Sequence, residues 1–351
     1  MTRSAMRAVF SAAAPGFAAL ALFVAVVVAR SSATREDDQT RWFRFLMGTS
    51  VRVDAYGGTL DNRKAAAEEA FSAIAEVDRL MSDYRADSEL TSVNENAANR
   101  AVPVSAPLLA VLQAAQRISQ ASDGAFDVTV GPLVKLWGFK DKRPHEPTSQ
   151  ELAGVRGLVN FHNLAIDASA RTVHFVRPGV QIDLGGIAKG FAVELAAGAL
   201  QRRGLSGVID AGGNQFMVGV PPGKQTWTIG ISHPDAKDRL IGAVDLRSGA
   251  LSTSSDASNF LTANGHTYGH LLDPRLLRPS TASLSVTIVS PDGTLADALS
   301  KAVFVLGPRD GLALLESFPN TAGIVVSRQA DGQTAVAVSP SLTHAFHRST
   351  T

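Results

Sequence analysis

The 351-residue sequence contains no cysteine. That excludes disulfides, a thiolate nucleophile, a Cys-ligated metal and a lipidated Cys, and it is compatible with an oxidising compartment. An excess of charge is also missing: 33 Lys and Arg stand against 32 Asp and Glu, for a formal net charge of +1 and no long basic run. Nucleic acid is thereby excluded as the main partner, because holding a phosphate backbone needs clustered Lys and Arg. No tandem repeat of fixed period is present. The glycine pairs match neither GxGxxG nor the GK[ST] ending of a P-loop, so neither common nucleotide-binding signature applies.

What is present begins with an apolar run, Phe10 to Ala29, long enough to cross a bilayer as a helix. Arg3 and Arg7 precede it and Arg30 follows, which favours a cytoplasmic N-terminus and export of everything after the run. Residues 1–30 read as either a cleaved signal peptide or a retained anchor, and residues 31–40 as a polar tether. The whole chain is 45% hydrophobic and 19% charged, ordinary globular composition once the N-terminus is set aside. It is expected to fold over 41–340 and to end in a polar tail, 341–351.

Arg41 to Tyr56 reads as a strand interrupted at Met47-Gly48-Thr49. Asp61 to Met81 and Ala106 to Ser122 read as amphipathic helices. Between them, the polar segment around Tyr84 and Asp87-Ser88-Glu89-Leu90 starts a helix that Asn94 ends. Gly124-Ala125-Phe126-Asp127, with Gly131-Pro132 and Trp137-Gly138-Phe139 beyond it, reads as a loop that either holds a flat molecule or is plugged by its own aromatics. Phe161 to Val180 predicts paired strands. Gly207 to Asn214 is a strand followed by Gly-Gly, Trp227 to Ile231 and Ala243 to Leu246 are strands, and Leu251 to Phe260 reads as a polar turn entering a helix. Leu284 to Val289 is a strand and Thr294 to Gly307 an apolar helix with Asp297 as its one carboxylate. An isolated buried charge is expensive, so Asp297 is either paired or a metal ligand.

The chain is organised around Gln181 to Leu200, QIDLGGIAKGFAVELAAGAL. It predicts a short strand ending at Ile182, Asp183, the pair Gly185-Gly186, and a helix with Ile187, Phe191, Leu195 and Leu200 on one face. Lys189 stands in the first helical turn, where a cation opposes the helix dipole. The turn therefore either receives an anion, most simply a phosphate, or is a glycine-rich turn with a solvated lysine.

Seven pieces follow one order: Met47-Gly48-Thr49; Tyr84 with Ser88-Glu89-Leu90 and Asn94; GAFDVTVGPLVKLWGF from Gly124; IDLGGIAKGFAV from Ile182; DAGGN from Asp210; HLLDPR from His270; and ADALSKAVFVLG from Ala296. Together they resemble the FAD:protein FMN transferase family, also called the ApbE or thiamine-biosynthesis lipoprotein family, over about residues 40 to 340. The resemblance implies an α+β fold of two interleaved lobes, with mixed sheets flanked by helices and FAD in the cleft, behind an N-terminal hydrophobic helix. It implies a magnesium-dependent enzyme that moves FMN from FAD onto a Thr hydroxyl of an acceptor protein and releases AMP. The acceptor would be a subunit of a membrane electron-transfer complex, met on the outer face of the cytoplasmic membrane. By similarity, FAD would be contacted by Met47, Tyr84, Ala125, Phe126, Asp127, Asp183, Lys189 and the backbone around Leu272. His270 and Asp183 would be catalytic, and Mg²⁺ would be held by Asp297, the Gly186 carbonyl and Thr294. His270 has a suitable ordinary pKa for a base; the other reading makes it a structural histidine bonding the Asp273-Pro274 turn.

Three departures stand out. The family usually has Thr four residues after the helix Asp, and here that position is Lys301, which as an ammonium cannot ligate a metal. Thr253-Ser254-Ser255 replaces a usual Thr-Ser-Gly, and Pro274-Arg275-Leu276-Leu277 a usual Pro-Arg-Thr-Gly. The competing functions are an FAD pyrophosphatase that gives FMN and AMP, and an exported flavin-binding protein without catalysis.

Overall fold

Alternation of apolar residues along the strands builds a sheet that is buried on both faces. The computed structural model describes residues 39–141, 143, 145–256, 260–263 and 266–349; the apolar run and most of the tether lie outside the described residues. Eight strands pair in chain order: Gln39–Leu46, Thr49–Tyr56, Ser206–Ala211, Asn214–Val218, Gly249–Ser255, Ser285–Ser290, Ala322–Arg328 and Thr334–Val338. All the described pairings are antiparallel. This corrects the expected mixed sheets.

Among the described residues the α-helices are α1 (Leu60–Met81), α2 (Glu89–Asn96), α3 (Ala106–Ala121), α4 (Gly131–Leu136), α5 (Ser149–Arg156), α6 (Ala188–Arg202) and α7 (Gly293–Leu315). Helices α1, α3, α6 and α7 cover one face of the sheet, burying Phe71, Ile74, Leu112, Val193 and Phe304 with the inward residues Val53, Ile209 and Ile288. On the other face Val208, Met217, Leu251 and Ile324 pack against a three-stranded sheet, Trp227–His233, Ala236–Leu246 and Phe346–Arg348. A third, smaller cluster of Leu133, Trp137, Val159, Leu272 and Leu277 lies around α4.

Several local expectations change. Met47-Gly48 does not interrupt one strand but turns a hairpin between two, with φ of 50° and 71°. Gly212-Gly213 likewise closes the hairpin Ser206–Ala211 to Asn214–Val218, with φ of 60° and 92°, the geometry that matches strand twist. Leu251 to Ser255 belongs to a central strand rather than to a turn entering a helix. Its hydroxyls tolerate burial because each inward one is bonded: Ser252 Oγ donates to Asn214 Oδ1 at 2.7 Å, and Ser254 Oγ lies 2.7 Å from Ser300 Oγ. Gln181–Ile182 is extended but belongs to no sheet. The Asn94 side chain takes the place of a strand partner, accepting from Ile182 N at 2.7 Å and donating to its carbonyl at 2.9 Å. The expected polar tail carries the strand Phe346–Arg348, which pairs with Ala236–Leu246 and buries Phe346.

Helix α6 keeps most of the expected inward residues, with Ile187 and Leu200 buried and Phe191 packed against the core. Leu195 is exposed, and the buried positions are mostly small: Ala188, Gly190, Ala192, Ala196, Ala197 and Ala199. Small residues let α6 cross α7 at backbone contact. A Cβ on Gly190 would sit 2.0 Å from the Gly293 carbonyl oxygen and 2.5 Å from Asp297 Cβ. The start of α7 is capped twice, by Asp292 Oδ1 accepting from Leu295 N at 2.8 Å and by Glu194 Oε2 accepting from Gly293 N at 3.0 Å. Both carboxylates face the positive end of the helix dipole. Burial, followed by the Asp292 charge, raises the Glu194 pKa. Helix α7 breaks at Gly307, φ 77°, before Pro308, near the end predicted for it.

Gly190→Ala is expected to force α6 and α7 apart and to cost at least about 3 kcal/mol, the upper range for overpacking a filled core. Urea unfolding measures it, and wild-type stability in that variant would contradict the close crossing.

Candidate active site

The Gly185-Gly186 turn is set by what precedes and follows it. Asp183 N donates to the Val128 carbonyl at 2.8 Å, and Asp183 Oδ1 accepts from Gly185 N at 2.7 Å. Helix α6 then begins at Ala188, and Lys189 Nζ reaches back to the Gly185 carbonyl at 3.0 Å. Burial, then the negative charge of Asp83, raises the Asp183 pKa. Gly186 faces Phe126 and Lys301: a Cβ there would lie 3.2 Å from Phe126 Cε2 and 3.9 Å from Lys301 Cγ.

Asp297 meets this turn from the other side. Its residue is fully buried, at 0% exposure. Oδ2 accepts from Gly190 N at 2.8 Å, and Oδ1 is ion-paired with the ammonium of Lys301 one helical turn later. Of the two readings of this carboxylate, the described contacts are those of a paired one. For Lys301, burial lowers the pKa, Asp297 opposes that, and the nearby Lys189 charge adds to the lowering. Buried serines continue the network behind the pair: Ser300 Oγ is 2.7 Å from the Asp297 carbonyl and bonds Ser254 of the sheet.

Thr294 is not brought to this carboxylate as an open ligand. Its hydroxyl donates to Glu194 Oε2 at 3.2 Å, because the first turn of α7 lies against α6. Among the described residues no three His, Asp or Glu side chains converge in a way that would hold a metal ion. With both Asp297 oxygens and the Thr294 hydroxyl engaged by the chain itself, these residues do not fit a magnesium ion as they stand.

A cleft of ≈ 530 Å³ opens beside Asp183, lined by Asp83, Asn94, Lys140 and Ile182 among others. Lys140 Nζ bonds the Asp83 carboxylate at 2.9 Å and stands 5.2 Å from the centre of the exposed Tyr84 ring. Ala125 and Phe126 are buried at the turn, while Asp127 differs from expectation. Only 6% exposed, its carboxylate accepts from Thr129 N and Thr129 Oγ1, both at 2.7 Å. It caps a short helical turn rather than offering an open charge to a ligand, and burial raises its pKa. Met47 packs against the main core from its hairpin turn, and Leu272 is buried in the cluster around α4.

His270 bonds a partner that sequence reasoning missed. Its Nδ1 lies 3.0 Å from Asp256 Oδ1, so Asp256 orients the histidine. Asp273 is taken up by Arg275, with Nη2 to Oδ2 at 3.0 Å. Asp256 directly follows the strand whose Ser254 bonds Ser300, which ties His270 to the same frame as Lys301. The period-two polar pattern of Ser252 and Ser254 was the available signal for that strand. Leu277, where the resemblance expects Gly, takes φ 59°, a conformation unfavourable for a branched side chain. Burial among Leu133, Trp137 and Leu272, and a 3.1 Å bond from Trp137 Nε1 to its carbonyl, hold it there.

Two outcomes follow for the buried acids. Asp297→Asn leaves the Lys301 ammonium without its counter-charge and is expected to cost about 3–5 kcal/mol in urea unfolding; an unchanged midpoint would contradict the pairing. Asp183 holds its proton more tightly folded than at its ordinary value of 3.8, so the native state binds more protons and stability falls as pH rises through the folded pKa. Asp183→Asn is therefore expected to be more stable than wild type at pH 7, with the difference closing towards pH 4. A difference independent of pH would contradict this.

Comparison with known proteins gives a consistent picture. A family model described as the ApbE family matches residues 47–325. A FAD:protein FMN transferase from Vibrio cholerae is 34% identical over 248 residues, 69% of this chain and 73% of that protein. One from Haemophilus influenzae is 32% identical over 297 residues, 82% of this chain and 86% of that protein. Among solved structures, the ApbE protein from Thermotoga maritima superposes with a TM-score of 0.80 at 30% identity, covering 89% of this chain and 100% of that one. The flavin transferase ApbE from Vibrio cholerae gives 0.78 at 29%, covering 88% and 99%. On the extent of that family match and of these alignments, the chain belongs to the ApbE family.

Proposed function

We propose that this protein transfers the FMN half of FAD onto a threonine hydroxyl of an acceptor protein and releases AMP. The observation that carries the reading is the convergence of Lys189, Lys301 and Phe126 on the Gly185-Gly186 turn, beside the cleft lined by Asp183 and Lys140, with the Tyr84 ring next to Lys140. Splitting a diphosphate needs charge neutralisation and positioning more than covalent help from the protein. In the transfer, the threonine oxygen bonds to the FMN-side phosphorus. The bond from that phosphorus to the bridging oxygen breaks, and the bridging oxygen leaves on AMP. His270 takes the hydroxyl proton on Nε2, because Nδ1 faces Asp256. Tyr84 and Phe126 supply aromatic faces for the ring systems of FAD.

The acceptor is proposed to be an exported subunit of a membrane electron-transfer complex, met on the outer face of the cytoplasmic membrane. The apolar run Phe10 to Ala29, with arginines before it, supports that placement. Magnesium at Asp297, Gly186 and Thr294 remains the competing source of neutralising charge, and it requires Lys301 to leave Asp297.

Incubation with FAD, magnesium and a threonine-containing acceptor is expected to give AMP and an acceptor heavier by one FMN in mass spectrometry. Free FMN with unmodified acceptor would instead establish a pyrophosphatase, and bound FAD with no AMP a non-catalytic flavin carrier. His270→Gln is expected to lower transfer by about 10²-fold or more, the usual weight of a general base. Transfer at the wild-type rate in that variant would remove His270 from the reaction.

A further inference from the structure

Lys301 is buried more deeply than a solvated helix lysine would be, with its side chain 18% exposed. Its stem runs along Gly186, where a Cβ would lie 3.9 Å from Cγ and 4.0 Å from Cδ. Its ammonium is held by Asp297, which is itself fixed by Gly190 N. Lys189 reaches the same turn from α6 and forms no ion pair among the described residues; its ammonium donates to the Gly185 carbonyl. The Lys189 ammonium and the Lys301 stem thus meet one glycine pair, with Asp297 balancing the Lys301 charge and Asp183 turned to Gly185 N. Like charges gathered this way repel each other unless an anion lies with them. A metal at Asp297 would compete directly with Lys301 for Oδ1.

We propose that Lys301 is the resident counter-ion of the FAD diphosphate in this chain: held by Asp297 at the edge of the Gly185-Gly186 turn, its ammonium supplies charge that a divalent cation would otherwise supply, so that FAD binds without added metal. This rests on the reading that FAD is the ligand of this turn. It makes Lys301 a binding residue, one that an ion-paired structural lysine on the same helix would not be.

Quenching of flavin fluorescence by the full chain measures the affinity directly. Wild-type protein is expected to bind FAD in EDTA within about threefold of its affinity in millimolar magnesium, a difference below half a kcal-scale decade step. Lys301→Met is expected to weaken FAD binding in EDTA by about tenfold or more. Lys301→Thr is expected to bind magnesium in calorimetry without FAD and to need it for FAD, whereas wild type shows no such heat. The inference is overturned if wild type binds FAD only with magnesium, or if Lys301→Met binds FAD in EDTA as wild type does. The wild-type comparison needs no variant to fold. Absence of FAD binding under both conditions overturns the flavin reading itself, and is thereby distinguishable from failure of the lysine alone.

Discussion

A single buried carboxylate constrains this structure. Asp297 lies fully inside, on a helix lined with Ala, Leu and Val, and a charge in such a place must be answered on every side. Gly190 N and Lys301 answer it. The first bond requires α6 and α7 to approach to backbone contact, which is why Gly190 and Gly293 face each other and why the inward face of α6 is built from alanines. The second draws a lysine stem across Gly186. The crossing of the helices, the position of the glycine turn and the location of two cations therefore all depend on one side chain. Behind it, Ser300 and the serines of the central strand fix the helix to the sheet, so the carboxylate is held by hydrogen bonds to both layers.

From this frame the chemistry follows in order. Charge at the turn comes from Lys189 and Lys301, and rigidity comes from the backbone bonds of Asp183 to Val128 and of Ile182 to Asn94. The cleft next to them is lined in part by Lys140, which stands over the Tyr84 ring. The strand that supplies Ser254 runs on to Asp256, which orients His270. A base, a cationic turn and aromatic faces on one scaffold are what a phosphoryl transfer from a dinucleotide requires. Membership of the ApbE family and the flavin transferases among the relatives agree with that reading of the site.

Much of this was legible in the residues because the signals were local. Helical spacing located α1, α3 and the part of α7 before its break at Gly307 to within a few residues, and Gly185-Gly186 with Lys189 identified the central turn. The rest depended on partners distant in sequence. Asn94 looked like a helix end, yet its amide completes the backbone of Ile182, 88 residues away. Leu251 to Ser255 looked like a polar turn because the bonds that make its hydroxyls tolerable come from Asn214 and Ser300. With that strand misread, Asp256 had no visible role beside His270. Of the large apolar residues assigned to the inner face of α6, Ile187 and Leu200 are buried, but the crossing with α7 is made by small residues and Leu195 lies outside. Phe346 was hidden in a polar context, and only its pairing with Ala236–Leu246 shows that it belongs to the core. Lys301 was conspicuous as a departure from the family pattern, but its ion pair with Asp297 is a property of the fold.

The most direct measurement is a crystal structure of the protein with FAD and magnesium bound. The account predicts the diphosphate seated on Gly185-Gly186, with Lys301 Nζ bonded both to Asp297 and to a phosphate oxygen. A diphosphate bound elsewhere, or a metal ion on Asp297 with Lys301 turned away, would contradict it.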